Sequence, residues 1–136
     1  MSANYHDPLI IRKVLGQYHT IAVVGLSDKA DRPSHRVASY LKDRGYRIIP
    51  VNPRLESVLG EKAYPDLLSI PGPVDVVDIF RRSEEVGPVV DEAIKKRAKA
   101  VWMQEGIVNE AAAQKASEAG LEVIMDRCML KEHQRL

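Results

Sequence analysis

Cysteine is almost missing from this chain: Cys128 stands alone among 136 residues. A single thiol excludes an internal disulfide framework and any metal site built from several cysteines. Long apolar runs are missing too. Nothing approaches the roughly 20 apolar residues that a bilayer span requires, and the N-terminus lacks the charged-then-apolar layout of a secretory signal. No membrane role and a cytoplasmic address are therefore expected. An excess of charge of one sign is also lacking. Lys and Arg number 20 against 19 Asp and Glu, a formal net charge of +1 with the signs interspersed. Nucleic-acid binding usually demands a concentrated basic face. No nucleic-acid partner is expected, and any bound anion should be small and held locally. No repeat, low-complexity tract or Gly-, Pro- or Ser-rich linker divides the chain. It reads as one domain over residues 1–136, long enough to bury an ordinary core.

The usual layouts of catalytic groups are missing as well. There is no paired-carboxylate site, Gly-x-Ser-x-Gly elbow or Walker loop, and His6, His19 and His35 sit at no metal-ligand spacing. This absence argues against an enzyme.

What is present alternates in period. Asp7-Pro8 reads as an N-cap followed by proline at the first helical position, with Gly16 closing the helix. Thr20-Ile21-Ala22-Val23-Val24-Gly25 is a strand too apolar on both faces to lie at a sheet edge. A polar loop leads to a helix over Pro33 to Arg44, stopped by Gly45. Tyr46 to Val51 is the second strand, and Ala63-Tyr64 suggests a very short one. Asp66 to Ile70 suggests one or two helical turns, and Val74 to Phe80 a further strand. The next helix carries the clearest stripe, Val86, Val89, Val90, Ala93, Ile94 and Ala98. Ala100 to Met103 is a strand, Asn109 caps an alanine-rich helix ended by Gly120, and Leu121 to Met125 is the last strand. Strands alternating with helices predict an α/β fold: a three-layer, Rossmann-like, doubly wound and mainly parallel sheet. Ligands of such sheets sit beyond the carboxyl ends of the strands. That rule gathers four loops, Gly25 to Ser34, Asn52 to Arg54, Phe80 to Ser83 and Gln104 to Ile107.

The first loop is the most informative. Glycine ends the strand, and the helix beyond opens with N–H groups that have no partner in the helix, which together make a seat for a phosphate. Main-chain N–H groups, the Ser27 and Ser34 hydroxyls and the Arg32 guanidinium could all serve it. The competing reading is a solvated connection in which Ser34 or Asp31 caps the helix. A dinucleotide fingerprint would place glycines where Ser27 and Ala30 stand, so an ordinary NAD or FAD site is disfavoured. The second strand ends in Val51-Asn52-Pro53-Arg54. NAD enzymes carry an acid there for the ribose 2′-hydroxyl. Here a cation stands instead, which suits a ribose bearing its own phosphate; a turn fixed by two prolines is the alternative. Arg81 and Arg82 point either to solvent or to an anion. Phe80 either flanks a purine or closes the core, with the core favoured, and Trp102 reads as core. Gln104 offers an amide, and Gly106 a close backbone approach. Cys128 and His133 invite a nucleophile reading, but no orienting third group is apparent and a lone thiol is usually apolar filler.

These segments in this order resemble the small single-domain CoA-binding protein family, which is similar to the CoA-binding domain of the succinyl-CoA synthetase α subunit. The resemblance rests on Ile21 to Ser27, Arg32-Pro33-Ser34, Gly45 to Pro53, Val74-Asp75 with Asp78 to Arg81, Trp102 to Gln104 with Gly106-Ile107, and Asp126-Arg127-Cys128. It implies a domain that binds coenzyme A through its ADP half. By that resemblance Gly25, Leu26, Ser27, Arg32, Pro33 and Ser34 take the phosphates, and Val51, Asn52, Pro53 and Arg54 lie beside the ribose and its 3′-phosphate. Phe80 and Arg81 border adenine or pantetheine, and Met103, Gln104, Glu105 and Gly106 run along the pantetheine arm. The synthetase's catalytic histidine belongs to a second domain with no counterpart here, so ligase activity does not carry over. The expected function is binding of CoA or an acyl-CoA as carrier, sensor or regulator; a protein partner is a further expectation, one that no residue identifies. The alternatives are an NAD-linked redox sensor or oxidoreductase, and thiol exchange with CoA through Cys128.

Overall fold

The computed structural model describes residues 4–136. Its centre is a five-stranded parallel sheet in the order β2-β1-β5-β6-β7, formed by Arg47–Val51, Thr20–Val24, Val76–Ile79, Ala100–Met103 and Glu122–Ile124. The register runs unbroken: Ile21 pairs with Ile48 on one side and with Val76 on the other. β1 is buried along almost its whole length, as expected of a strand covered on both faces.

Five helices complete the three layers. α1 (Pro8–Gln17), α2 (Pro33–Asp43) and α5 (Met129–Gln134) cover one face through Val14, Leu41 and Met129. α3 (Val86–Lys95) and α4 (Glu110–Glu118) cover the other through Val90, Ala93 and Ala113. This is the Rossmann-like α/β arrangement that the alternating periods predict. No helix among the described residues is long and apolar enough to cross a membrane.

The differences are local. Gly16 falls inside the last turn of α1 instead of ending it. Tyr64 makes a single parallel bridge to Val51, not a strand. The span Asp66 to Ile70 forms turns, not helix: the Asp66 carboxylate accepts from the Ser69 N–H at 2.8 Å, and Pro71-Gly72-Pro73 prevents continuation. The sequence reading has no counterpart for α5, for a 3-10 turn at Ser83–Glu85, or for a small hairpin of β3 (Ser57–Val58) and β4 (Glu61–Lys62).

Candidate ligand-binding site

The chain leaves β1 for β2 on one side and later returns to β5 on the other. The carboxyl ends of β1 and β5 therefore flank the point where strand order reverses, where ligands of such sheets bind. Gly25 and Phe80 stand there and are shared by two adjoining clefts of about 360 and 440 Å³. The Gly25 N–H donates to the Val51 carbonyl at 2.9 Å, and the Phe80 N–H donates to the Val24 carbonyl at 2.9 Å. Gly25 has φ +88°, and a Cβ on it would lie 2.2 Å from the Phe80 carbonyl oxygen. Only glycine fits, because two strand ends meet there. Phe80 is half-buried at the mouth of both clefts, so the core reading of this ring holds only in part.

The first cleft is lined by Gly25, Ser27, Arg32, Pro33 and Ser34, with Phe80 and with Lys29, which the sequence reading did not single out. Its floor is the N-terminus of α2. Arg32 is the N-cap and no side chain caps the helix, so neither Ser34 nor Asp31 does so. By contrast, Asp7 caps α1 by accepting from the Leu9 N–H, and Asn109 caps α4 by accepting from the Ala112 N–H. Ser34, a residue only 5% exposed, accepts through its hydroxyl from the Ser27 N–H at 3.0 Å and holds the loop in a curl. The Ser27 hydroxyl accepts from the Lys29 N–H at 3.1 Å. An accepting hydroxyl keeps its own hydrogen, so both remain donors, the polarity an anion requires.

The second cleft is lined by Asn52, Pro53, Arg54, Arg81 and Arg82, together with Glu85, which the sequence reading left out of the site. Asn52 braces the site instead of presenting its amide. It donates to the Leu26 carbonyl at 3.0 Å and accepts from the Arg54 N–H at 2.9 Å, tying the two loops together. Lys29, Arg32, Arg54, Arg81 and Arg82 line the two clefts against one acid, Glu85. None of the five makes an ion pair among the described residues. Leu26 and Val51 are buried and contribute main chain only.

Met103, Gln104, Glu105 and Gly106 share the sheet edge but line neither cleft. Met103 lies in the core, and Gln104 is 3% exposed. The Gln104 amide donates to the Asp78 carboxylate inside the protein, and its oxygen accepts from the Met129 N–H at 3.4 Å. This amide is therefore spent on joining β5, β6 and α5. Glu105 pairs with Lys131 at 2.9 Å, and the Gly106 N–H donates to Asp126 at 2.7 Å. Burial pushes the Asp78 carboxyl up to about 7, against the hydrogen bond from Gln104. Cys128 is the half-buried N-cap of α5 and lines neither cleft, and the His133 ring meets the Tyr40 hydroxyl at 2.8 Å instead of the thiol. No cluster of three or more metal-ligating side chains occurs among the described residues.

A family model described as a CoA binding domain matches residues 19–134. The protein YneT of Bacillus subtilis (strain 168), itself uncharacterised, is 47% identical over 123 residues, which cover 90% of this chain and 91% of YneT. A hypothetical protein from Pyrococcus horikoshii OT3 has the same fold, with a TM-score of 0.92 at 43% identity, covering 100% of this chain and 99% of that one. The ADP-forming acetate–CoA ligase II of Archaeoglobus fulgidus is 34% identical over 94 residues, 67% of this chain but only 14% of the ligase. With the family model spanning nearly all of the sheet and its flanking helices, this chain belongs to the CoA binding domain family.

Proposed function

We propose that this chain binds coenzyme A, free or acylated, and acts as a carrier, sensor or regulator with no chemistry of its own. The observation that carries this reading is the uncapped N-terminus of α2 at the strand-order reversal, ringed by five unpaired cations and one acid. The pyrophosphate rests on the α2 N–H groups with Ser27, Lys29 and Arg32, where helix-end dipole and guanidinium act on the same charge. The 3′-phosphate lies toward Arg54, with Arg81 and Arg82 beside it, and Phe80 borders the adenine or the start of the pantetheine arm. The absence of an acid at the end of β2 supports a phosphorylated ribose over the free ribose of NAD. The matched stretch in the A. fulgidus ligase points the same way, although it makes up only 14% of that protein.

Calorimetric titration with CoA, dephospho-CoA and NADH tests the proposal. CoA should bind about tenfold more tightly than dephospho-CoA, the value of one charge-assisted contact of about 1.4 kcal/mol. The gap should narrow as salt screens the exposed cations. NADH binding as tightly as CoA would overturn it.

A further inference from the structure

At the same carboxyl edge, beyond β6 and β7, lies a cleft of about 440 Å³ that shares no residue with the two at Gly25 and Phe80. It opens between the start of α1 and α5. Strands in a sheet are about 4.8 Å apart, so it lies roughly 10–15 Å from the β1–β5 crevice. Its walls carry Arg12, Arg127 and Arg135, with Glu132 as the single acid and His6 at the rim.

Two of the three arginines, Arg127 and Arg135, are held by the surrounding structure. The Arg127 N–H donates to the Met103 carbonyl at 3.3 Å, its carbonyl accepts from the Trp102 indole at 2.8 Å, and its Nη1 donates to the Asp126 carbonyl at 2.7 Å. Glu132, with its side chain 11% exposed, accepts from Arg135 Nη1 at 2.9 Å and lies 4.0 Å from Arg127 Nε. One sheltered carboxylate thus orients two guanidinium groups and neutralises only one of them. Arg12 approaches from α1 and has no carboxylate within 4 Å among the described residues. The side chains sum to +2, a repulsive arrangement unless an anion relieves it. Buried Ile11 supplies an apolar wall.

We propose that this cleft is a second ligand site, independent of the CoA site, which takes a small dianion bearing carboxylate or phosphate groups. Guanidinium forks match the paired oxygens of both groups, and two negative charges match the excess on the walls. The volume falls within the range of small-molecule sites.

Isotope-labelled protein is titrated by NMR with inorganic phosphate and, separately, with succinate, at ionic strength held constant with sodium chloride. Either probe should produce saturating shifts at the amides of Arg12, Arg127, Glu132 and Arg135, leaving Gly25 to Ser34 unmoved in at least one of the two titrations. Saturation by phosphate alone assigns a phosphomonoester, and saturation by succinate alone a dicarboxylate. Arg12→Ala, an exposed position, and Arg135→Ala should each weaken binding about fivefold or more. Arg32→Ala, which touches only the seat at α2, should leave it unchanged, so this test stands even if CoA does not bind. Absence of saturation with both probes, shifts that follow chloride equally, or full affinity in both Arg12→Ala and Arg135→Ala would overturn the proposal.

Discussion

Asp78 should make this protein lose stability as pH rises from about 4 to 7. Its side chain lies on β5 with 0% exposure; one carboxylate oxygen accepts from Gln104, and the other has no hydrogen-bond partner among the described residues. Burial disfavours the charged form and lifts the carboxyl from 3.8 to about 7. Below pH 4 both folded and unfolded chains hold the proton, so the group costs nothing there. Between 4 and 7 the unfolded chain releases it while the folded chain keeps it, and stability falls by up to about 1.4 kcal/mol per pH unit. Across three units the loss reaches about 4 kcal/mol, and above pH 7 it levels off. Asp78→Asn removes the titration. The variant leaves an amide nitrogen where the unpartnered oxygen was, an offset of about 1–3 kcal/mol that does not vary with pH. The test is therefore the difference in Tm between the two proteins across pH 4 to 8.5. A chain of this size moves about 3–4 °C per kcal/mol, so the variant should gain roughly 10–15 °C on wild type between pH 4 and 7.5. Parallel Tm profiles would refute the reasoning, because they would mean that the carboxyl ionises in the folded protein as readily as in water.

Gly25→Ala places a methyl 2.2 Å from the Phe80 carbonyl at φ +88°, and should cost about 3 kcal/mol or more in chemical denaturation, or prevent folding. Arg32→Ala removes an exposed cation, so CoA affinity should fall about tenfold while Tm stays within a few degrees, read by calorimetry and thermal melts. Ser34→Ala differs in kind: the Ser27 N–H loses its acceptor, so stability should drop by about 1 kcal/mol together with affinity. For Arg54→Ala, the preference for CoA over dephospho-CoA should shrink several-fold, with dephospho-CoA binding nearly unchanged. An unchanged preference would move the 3′-phosphate away from β2.

The sheet was legible because β1, β2 and β6 are apolar on both faces, a pattern that only a covered parallel sheet needs. The hairpin was not. Its two turn residues both have positive φ, but they are Leu59 at 55° and Gly60 at 76° in place of the Asn-Gly pair that normally announces such a turn. α5 has six residues, too few for a helical stripe to show. At the site, strand ends could be read from glycine and proline positions, but side-chain direction could not. Asn52 and Gln104 carry the same amide group that a ligand contact would use, yet one braces two loops and the other enters the core. Lys29 and Arg82 lay within or beside the loops already singled out, and only three-dimensional packing separates a lining cation from a solvated one.

The near-neutral composition conceals a division of labour between the two cations. Of the chain's 11 arginines, seven line the three clefts at the carboxyl edge; of its 9 lysines, one does. The ion pairs divide the opposite way. Among the described residues, Lys13, Lys42, Lys99, Lys115 and Lys131 each pair with a carboxylate, whereas the arginine pairs are both with Glu132 inside a cleft. Lysine is a strongly hydrated point charge suited to a wet surface pair, and arginine a weakly hydrated fork suited to two oxygens at once. The gathering of seven arginines at one edge, with five of them unpaired among the described residues, suits oxyanion recognition, and net charge cannot register it because the lysine–carboxylate pairs elsewhere cancel the sum.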